Sequence, residues 1–332
     1  MKIIKFIFFI FFLFESSFLI ADEYTFNEWL KNFNKKAIDE GITQKTIDRV
    51  MANAKYLPKV IEYDRYQPEF YEDTKTYISK RTSMKKVKKG LKLYSINSSI
   101  INEVSNFYEV EKELLLALMG IETNFGTYLG KMDIISSLAT LSFDKRRSDF
   151  FTNELITVLK LIDSNIIDHK ILFGSWAGAF GNFQFMPTTI KNYAIDYDKN
   201  KIINLKSIND SFASAANYIN KIGWKNSQPC FYQVTLVENI PKKYLNTSAK
   251  KIKQKKKFKH LKKYIKNYEQ LNINDNVSSA IITPDKDIVE NSNTLKPAYI
   301  VFKNYELILK WNRSLRFALA VCTLKDKFAD EL

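Results

Sequence analysis

The sequence predicts a mainly helical α+β protein. Three observations carry that reading. Apolar residues recur at spacings of three and four through most of the chain; short β-like runs are confined to residues 230–300; and 332 residues with 45% hydrophobic side chains suffice for a sizeable core.

The N-terminus reads "MKIIKFIFFIFFLFESSFLIADEY", with Lys2 and Lys5 ahead of an apolar run from Phe6 to Phe14, then Glu15, two serines and a small residue, Ala21, just before Asp22 and Glu23. This is the plan of a secretory signal, and the uninterrupted run is shorter than the roughly 20 residues that span a bilayer. Cleavage near Ala21 and export are expected. No cysteine follows the run to accept a lipid anchor.

From Tyr24 to Asn97 the pattern is helical, with Phe26, Leu30 and Phe33, then Ile47, Val50 and Met51, on common faces. Residues 100–226 are rich in glycine and small side chains and form the expected catalytic core. Between 230 and 300 the runs "CFYQVTLVEN", "SSAIIT" and "AYIVF" flank a lysine-rich stretch read as helical, which together suggest a small α+β insertion. The last segment, "NYELILKWNRSLRFALAVCTLKDKF", reads as one helix with Leu307, Trp311, Leu315 and Ala318 on one face, packing back on the core. The expected domains are therefore a signal at 1–21, a helical domain at 22–100, the core at 101–229, the insertion at 230–300 and the returning helix at 301–332.

Composition limits the chemistry. Cys230 and Cys322 are the only cysteines, too few for a disulfide scaffold or a metal cluster, and His169 and His260 are the only histidines. Carboxylates, amides, hydroxyls and aromatics must then supply the site. Of the formal net charge of +15, the twelve lysines between Lys242 and Tyr268 account for twelve, leaving +3 elsewhere. The basicity is local. It reads either as a solvated surface or as a face for an anionic envelope polymer or lipid through Lys242–Lys266, and nucleic acid is not expected as a partner of an exported chain.

The stretch "LLLALMGIETNFG" at 114–126 ends an apolar helix in one carboxylate, Glu122. Helical spacing puts Glu122 on the stripe of Leu115 and Leu118, where desolvation would raise its pKa and keep it protonated, as a general acid requires. The plainer alternative pairs it with Arg146, Arg147 or Lys131. A second cluster, "GSWAGAFGNFQFMPTTI" at 174–190, offers glycines that admit close approach of a ligand, the hydroxyl of Ser175 and the amide of Gln184, with Trp176, Phe180 and Phe183 either stacking on sugars or filling core.

"GIETNFG", "LATLSFDKRRSDFF", "GSWAGAFGNFQFMPTTIKNYAID", "ANYINKIGW" and "ILKWNRSLRFALAV", in this order, resemble the lytic murein transglycosylase B family over residues 24 to 332. The resemblance implies a lysozyme-like helical core with an additional helical domain and a small β-containing insertion. The implied activity is that of a periplasmic peptidoglycan lyase, which cleaves the MurNAc–GlcNAc β-1,4 bond without water and leaves 1,6-anhydroMurNAc ends. Glu122 takes the position of the single general acid and base, where most glycosidases use two carboxylates. Ser175, Gln184, Tyr218, Asn312, Arg146 and Arg147 match positions that line the glycan cleft. Asn312, read as lying in a helix interior where Asn is a poor former, suits a binding role. Phe317 departs from the family's usual tyrosine. Two rival readings stand beside this one: a non-catalytic peptidoglycan-binding scaffold and a lysozyme-type hydrolase.

The resemblance extends to an EF-hand-like loop, "DYDKNKIINLKS", with Asp196, Asp198 and Asn200 at positions one, three and five. Lys201 replaces the glycine of the sixth position and Ser207 the carboxylate of the twelfth, so the loop reads as degenerate and no cofactor is expected. The expected partner is the peptidoglycan glycan strand, met by a monomer.

Overall fold

A computed structural model describes residues 25–66, 72–286 and 295–332. The expected signal segment lies outside them. In chain order come helices α1 (25–39), α2 (Gln44–Val50), α3 (Pro58–Arg65), α4 (Thr74–Arg81), the long α5 (Met84–Tyr108) and α6 (Lys112–Thr123). Strand β1 (Met132–Asp133), helices α7 (Ile134–Phe143) and α8 (Ser148–Asp163), strand β2 (Phe173–Gly174) and helices α9 (Pro187–Tyr193) and α10 (Ile208–Lys221) follow. The rest is β3 (Phe231–Val234), β4 (Leu245–Asn246), β5 (Lys256–Lys257), the short α11 (Phe258–Leu261), β6 (Ser278–Ile282), β7 (Ala298–Val301), α12 (Lys303–Trp311) and α13 (Leu315–Ala329).

Helix starts follow from local chemistry. The side chains of Thr43, Asp73, Ser83, Asp133, Ser207 and Ser314 each accept a hydrogen bond from a backbone N–H in the first turn, satisfying donors that the helix itself leaves open. Helix α5 departs from helical geometry at Asn97 (φ −119°, ψ 20°), whose Nδ2 donates to Leu93 O at 2.9 Å, a side-chain bond that competes with the helix ladder.

The described residues divide into two compact units. One comprises 25–66, 129–192 and 199–204. Its centre is α7, buried from Ile134 to Ser142, with α8 and α3 against it. The hydroxyls of Ser136 and Thr140 on α7 accept the backbone N–H groups of Lys55 and Leu57, each at 3.0 Å, so the buried polar atoms of this helix anchor the segment that leads into α3. Phe26, Trp29, Phe33, Tyr56 and Phe143 close one end as an aromatic cluster.

The other unit comprises 72–128, 193–198, 205–286 and 295–332. Helix α6 is buried from Leu114 to Gly120 and packs on α13 and α5, while α10 packs on α5. The sheet runs β3-β7-β6-β4, antiparallel except for the parallel β4–β6 pair, with β5 added antiparallel to β6. Tyr232 and Ile281 both lie opposite Ile300. Val234, Leu236, Phe258, Leu261, Ile265, Ile281 and Ile300 make a separate small core. Buried Asp285, just beyond β6, accepts from Thr74 N at 3.0 Å and from Arg316 Nη2 at 2.7 Å, tying this region to α4 and α13.

Three features differ from the sequence reading. The lysine-rich stretch is not a helix but a short strand, the four residues of α11 and a 3₁₀ turn (Lys262–Tyr264), because Phe258, Leu261 and Ile265 are drawn into the sheet's core while β5 pairs with Ser278 and Ser279. The C-terminal segment is two helices, broken where Asn312 is extended and Ser314 caps α13. Cys230 and Cys322 form a disulfide, Cα–Cα 6.2 Å, between the start of β3 and the middle of α13.

Candidate active site

Glu122 is half-buried in the last turn of α6. The chain then takes three successive left-handed residues, Asn124 (φ 50°), Phe125 (φ 58°) and Gly126 (φ 75°). Two of these are not glycine, and an aromatic residue is uncommon in that region. Packing and hydrogen bonds hold the turn. Phe125 N donates to Met119 O at 3.3 Å, Gly126 N to Thr123 Oγ1 at 3.0 Å and Tyr128 N to Thr123 O at 2.9 Å. The Phe125 ring lies edge-on to Phe328 at 6.3 Å and fills the space that Gly90 and Gly120 leave open: a Cβ on Gly120 would meet the ring at 2.7 Å. The glycine that opens "GIETNFG" thus makes room for the phenylalanine near its end. Lys86 Nζ donates to Gly120 O at 2.8 Å, and burial, followed by the nearby Arg81 and Lys89, lowers its pKa to about 8.

The carboxylate has a fixed partner. Trp311 Nε1 donates to Glu122 Oε1 at 2.8 Å. The indole stacks on Tyr218 at 5.0 Å and 21°, and Tyr218 stacks on Tyr193 at 4.3 Å and 24°, giving a three-ring column that ends at the carboxylate's hydrogen-bond donor. Tyr218 OH donates to Lys310 O at 3.1 Å, and burial, then Tyr193, pushes its pKa up to about 12. It is a neutral donor spent on backbone. Asn312 lies at the C-terminal cap of α12 with extended geometry (φ −140°, ψ 125°) and its carbonyl accepts Ser314 N at 2.9 Å. The helix-interior argument for its role therefore does not hold. Phe317 is buried. This unit brings together Glu122, Tyr218 and the residues flanking Asn312. The sequence reading placed Trp311 only on a packing face and did not single out Tyr193; the pairing of Trp311 with Glu122 across 189 residues leaves no periodic signal.

The other sequence-predicted residues lie in the first unit. Ser175 closes a tight loop, with Ala179 N donating to its Oγ at 3.0 Å and Ser175 N to Ala179 O at 2.9 Å. Gly174 is required there, since a Cβ would stand 2.1 Å from Ala179 O. The space beside Gly174 and Gly178 is filled by the protein itself, Gly178 facing Leu138. Phe180 and Phe183 are core residues. Gln184 sits at φ 49° in the hairpin that pairs Phe180 with Phe185, and its Nε2 donates to Gly181 O at 2.8 Å and Leu129 O at 3.3 Å. Arg146 and Arg147 both turn to Asp64, a buried carboxylate not evident in the sequence: Arg146 Nε donates to Asp64 Oδ2 at 2.7 Å and Arg147 Nη2 to Oδ1. Burial lowers the Arg147 pKa.

At the EF-hand-like loop the carboxylate oxygens of Asp196, Asp198 and Asp210 lie within 4.8 Å of one another. Asp210 is fully buried in the first turn of α10 and accepts Tyr197 N at 2.9 Å. Ser207, counted as the twelfth ligand, instead caps α10, three residues before Asp210. Lys201 adopts the left-handed turn (φ 76°) that glycine would otherwise take, and Asn200 Oδ1 accepts Ile202 N at 2.9 Å. Three convergent carboxylates are a donor set that suits a hard divalent cation.

The helical architecture with its small sheet is the lysozyme-like fold of the lytic transglycosylases. The chain belongs to the family described as the Transglycosylase SLT domain, whose model matches residues 25–326. Over 139 residues it is 37% identical to the membrane-bound lytic murein transglycosylase B of Escherichia coli K12, a match covering 42% of this chain and 38% of the relative's length. It is similar to SltB3 of Pseudomonas aeruginosa, solved in complex with NAG-anhNAM-pentapeptide, at TM-score 0.80 and 30% identity over 92% of this chain and 79% of that one. The Escherichia coli lytic transglycosylase Slt35 in complex with calcium shares the fold at TM-score 0.75 and 24% identity, over 91% and 93% of the two chains.

Proposed function

We propose that the protein is a peptidoglycan lytic transglycosylase with Glu122 as its single acid and base. The observation that carries the reading is the placement of Glu122 at a braced helix end, its Oε1 held by the indole of Trp311 beside the Tyr218–Tyr193 column. The membership of the transglycosylase family and the likeness to SltB3, whose structure holds a NAG-anhNAM-pentapeptide, support the substrate class.

In the proposed reaction Glu122 gives its proton to the glycosidic oxygen as the bond from MurNAc C1 breaks. The MurNAc C6 oxygen then bonds to C1 and returns its proton to Glu122. No water enters, so the two products together have the mass of the substrate. A fixed carboxylate suits both steps, because the same oxygens first donate and then accept a proton. Ser175 and Gln184 in the first unit and Asn312 in the second are each assigned to glycan binding, and Arg146 and Arg147 to holding Asp64 and the turn before α8. Asp196, Asp198 and Asp210 would hold a calcium ion that neutralises their mutual repulsion and stabilises the fold without entering the reaction. The N-terminal apolar run supports export to the periplasm, and among the described residues no helix is long and apolar enough to cross a membrane.

The test is Glu122→Gln with purified sacculi as substrate. The isosteric amide cannot relay the proton, and general acid catalysis is typically worth about 10²–10⁴ in rate. The expected result is loss of anhydromuropeptide release with unchanged melting temperature and glycan binding. Retained release would assign the proton to another group, and wild-type products heavier by one water would make the enzyme a hydrolase.

A further inference from the structure

The lysine run is not uniform. Lys250, Lys251 and Lys255 meet the end of α12, with Lys310, Arg313 and Glu306, around a pocket of about 450 Å³. Five cationic groups face one carboxylate there. Glu306 is committed to Lys255, whose Nζ lies 2.9 and 3.2 Å from its two oxygens. The head groups of Lys250, Lys251, Lys310 and Arg313 make no hydrogen bond or ion pair among the described residues, and all four residues are exposed. Ile252 and Leu309, both buried, give the pocket an apolar wall.

Its position ties it to the proposed chemistry. Lys310 immediately precedes Trp311, the donor to Glu122, and its carbonyl accepts Tyr218 OH; Arg313 follows Asn312. One short segment therefore lines the basic pocket and holds the carboxylate's partner.

We propose that this pocket binds the carboxylates of the stem peptide that hangs from the MurNAc residue undergoing cleavage. The inference rests on the transglycosylase reading and adds to it what is recognised beyond the sugars. The chemistry fits at three points. A stem peptide carries several carboxylates within a few bonds of one another, matching clustered cations that lack partners of their own. Its alanine methyl groups suit a wall of Ile252 and Leu309. It is also attached to the sugar whose C1 reacts, and the pocket is built on the same short segment as Trp311, the donor to the proposed acid. An extended anionic surface such as a bilayer would meet instead the outward lysines Lys256, Lys257 and Lys259, which do not line the pocket.

The experiment compares wild type with the triple variant Lys250→Gln, Lys251→Gln, Arg313→Gln, whose folding is checked by melting temperature. Calorimetric titration uses the free peptide L-Ala-γ-D-Glu-meso-diaminopimelate-D-Ala. Rates are measured on peptide-bearing glycan strands and on strands stripped by an amidase. The expected result is peptide binding weakened at least about tenfold, equivalent to about 1.4 kcal/mol. The KM on peptide-bearing strands should rise by a similar factor with kcat kept, and the rate on stripped strands should stay unchanged. Equal peptide affinity in the two proteins overturns the proposal, as does an equal loss on stripped strands. So does a variant that loses binding to phosphatidylglycerol vesicles while keeping that to the peptide. Because the titration needs no turnover, a wild type that binds the peptide but releases no anhydro product would sink the transglycosylase reading alone.

Discussion

Trp311 donates its indole N–H to Glu122 at 2.8 Å while the face of the same ring stacks on Tyr218. One side chain thus orients the carboxylate and joins the aromatic column. Trp311→Phe separates the two roles, because it keeps a stacking ring and removes the donor. In the proposed reaction Glu122 is left ionised once its proton has gone to the glycosidic oxygen, and a hydrogen bond to an ionised group is worth about 1.5–3 kcal/mol, so kcat on sacculi should fall about 10- to 100-fold, with KM and melting temperature little changed. A rise in KM at constant kcat would show that the indole serves glycan binding alone.

The turn after Glu122 depends on space rather than on charge. Gly120→Ala places a methyl 2.7 Å from Phe125 Cζ and 3.2 Å from Leu324 Cδ2. Overpacking of this kind costs about 1–3 kcal/mol, and here the group displaced is the ring that braces the turn after Glu122. The expected outcome is a lower melting temperature together with reduced activity at temperatures where the variant is folded. Gly41→Ala is the control: its φ of 91° strains the backbone but nothing lies within 4 Å, so stability alone should fall. Full activity in folded Gly120→Ala would show that Phe125 does not position Glu122.

These two cases show how far the sequence reaches. The apolar helix ending in Glu122 was legible, because α6 is an amphipathic-to-buried segment whose pattern is local. Helices α1 and α2, and the strands flanking the lysine run, were legible for the same reason. The partner of Glu122 was not, since Trp311 is 189 residues away and its ring looks like any core aromatic. Arg146 and Arg147 stood out as a pair, but nothing in the sequence points to Asp64 as their common carboxylate. Asn312 was misplaced because the apolar spacing of α12 continues into α13 across the break, and Ser314, three residues before Phe317, was the capping signal that reveals it. The lysine run was misread for the converse reason: long-range pairing with β6 overrode a helix-like local pattern.

Lys86 gives the protein a pH dependence on the alkaline side. Its folded-state pKa is lowered to about 8 from an ordinary 10.5, first by burial and then by Arg81 and Lys89. Below about 8 both folded and unfolded chains carry the proton, and the cost of the half-buried charge is present in full. Between about 8 and 10.5 the unfolded chain binds more protons than the folded one, so this group's contribution to stability increases with pH. Lys86→Met removes that increment. Measured from about pH 7.5 to about pH 9.5, the melting temperature of wild type should rise relative to that of the variant. Parallel pH curves would mean that the amine is solvated and titrates normally.

At the acidic loop, the order of ligands along the sequence and their positions in space lead to different expectations. Along the sequence Ser207 stands where the final carboxylate should be, and the loop reads as degenerate. In the structure Ser207 Oγ accepts Asp210 N and caps α10, which turns the buried Asp210 carboxylate toward Asp196 and Asp198. Three carboxylates within 4.8 Å repel one another, and a cation that binds only the folded state offsets that repulsion. At about 100 times its Kd such a ligand stabilises by about 2.7 kcal/mol. Millimolar calcium should therefore raise the melting temperature by a few degrees, EDTA should reverse the rise, and Asp210→Asn should abolish it. Without calcium the same variant should match or exceed wild type in stability, because it removes one of three like charges from a buried position. A calcium-independent wild type would show that the cluster is balanced by the protein alone and that the sequence expectation of a vacated loop was correct.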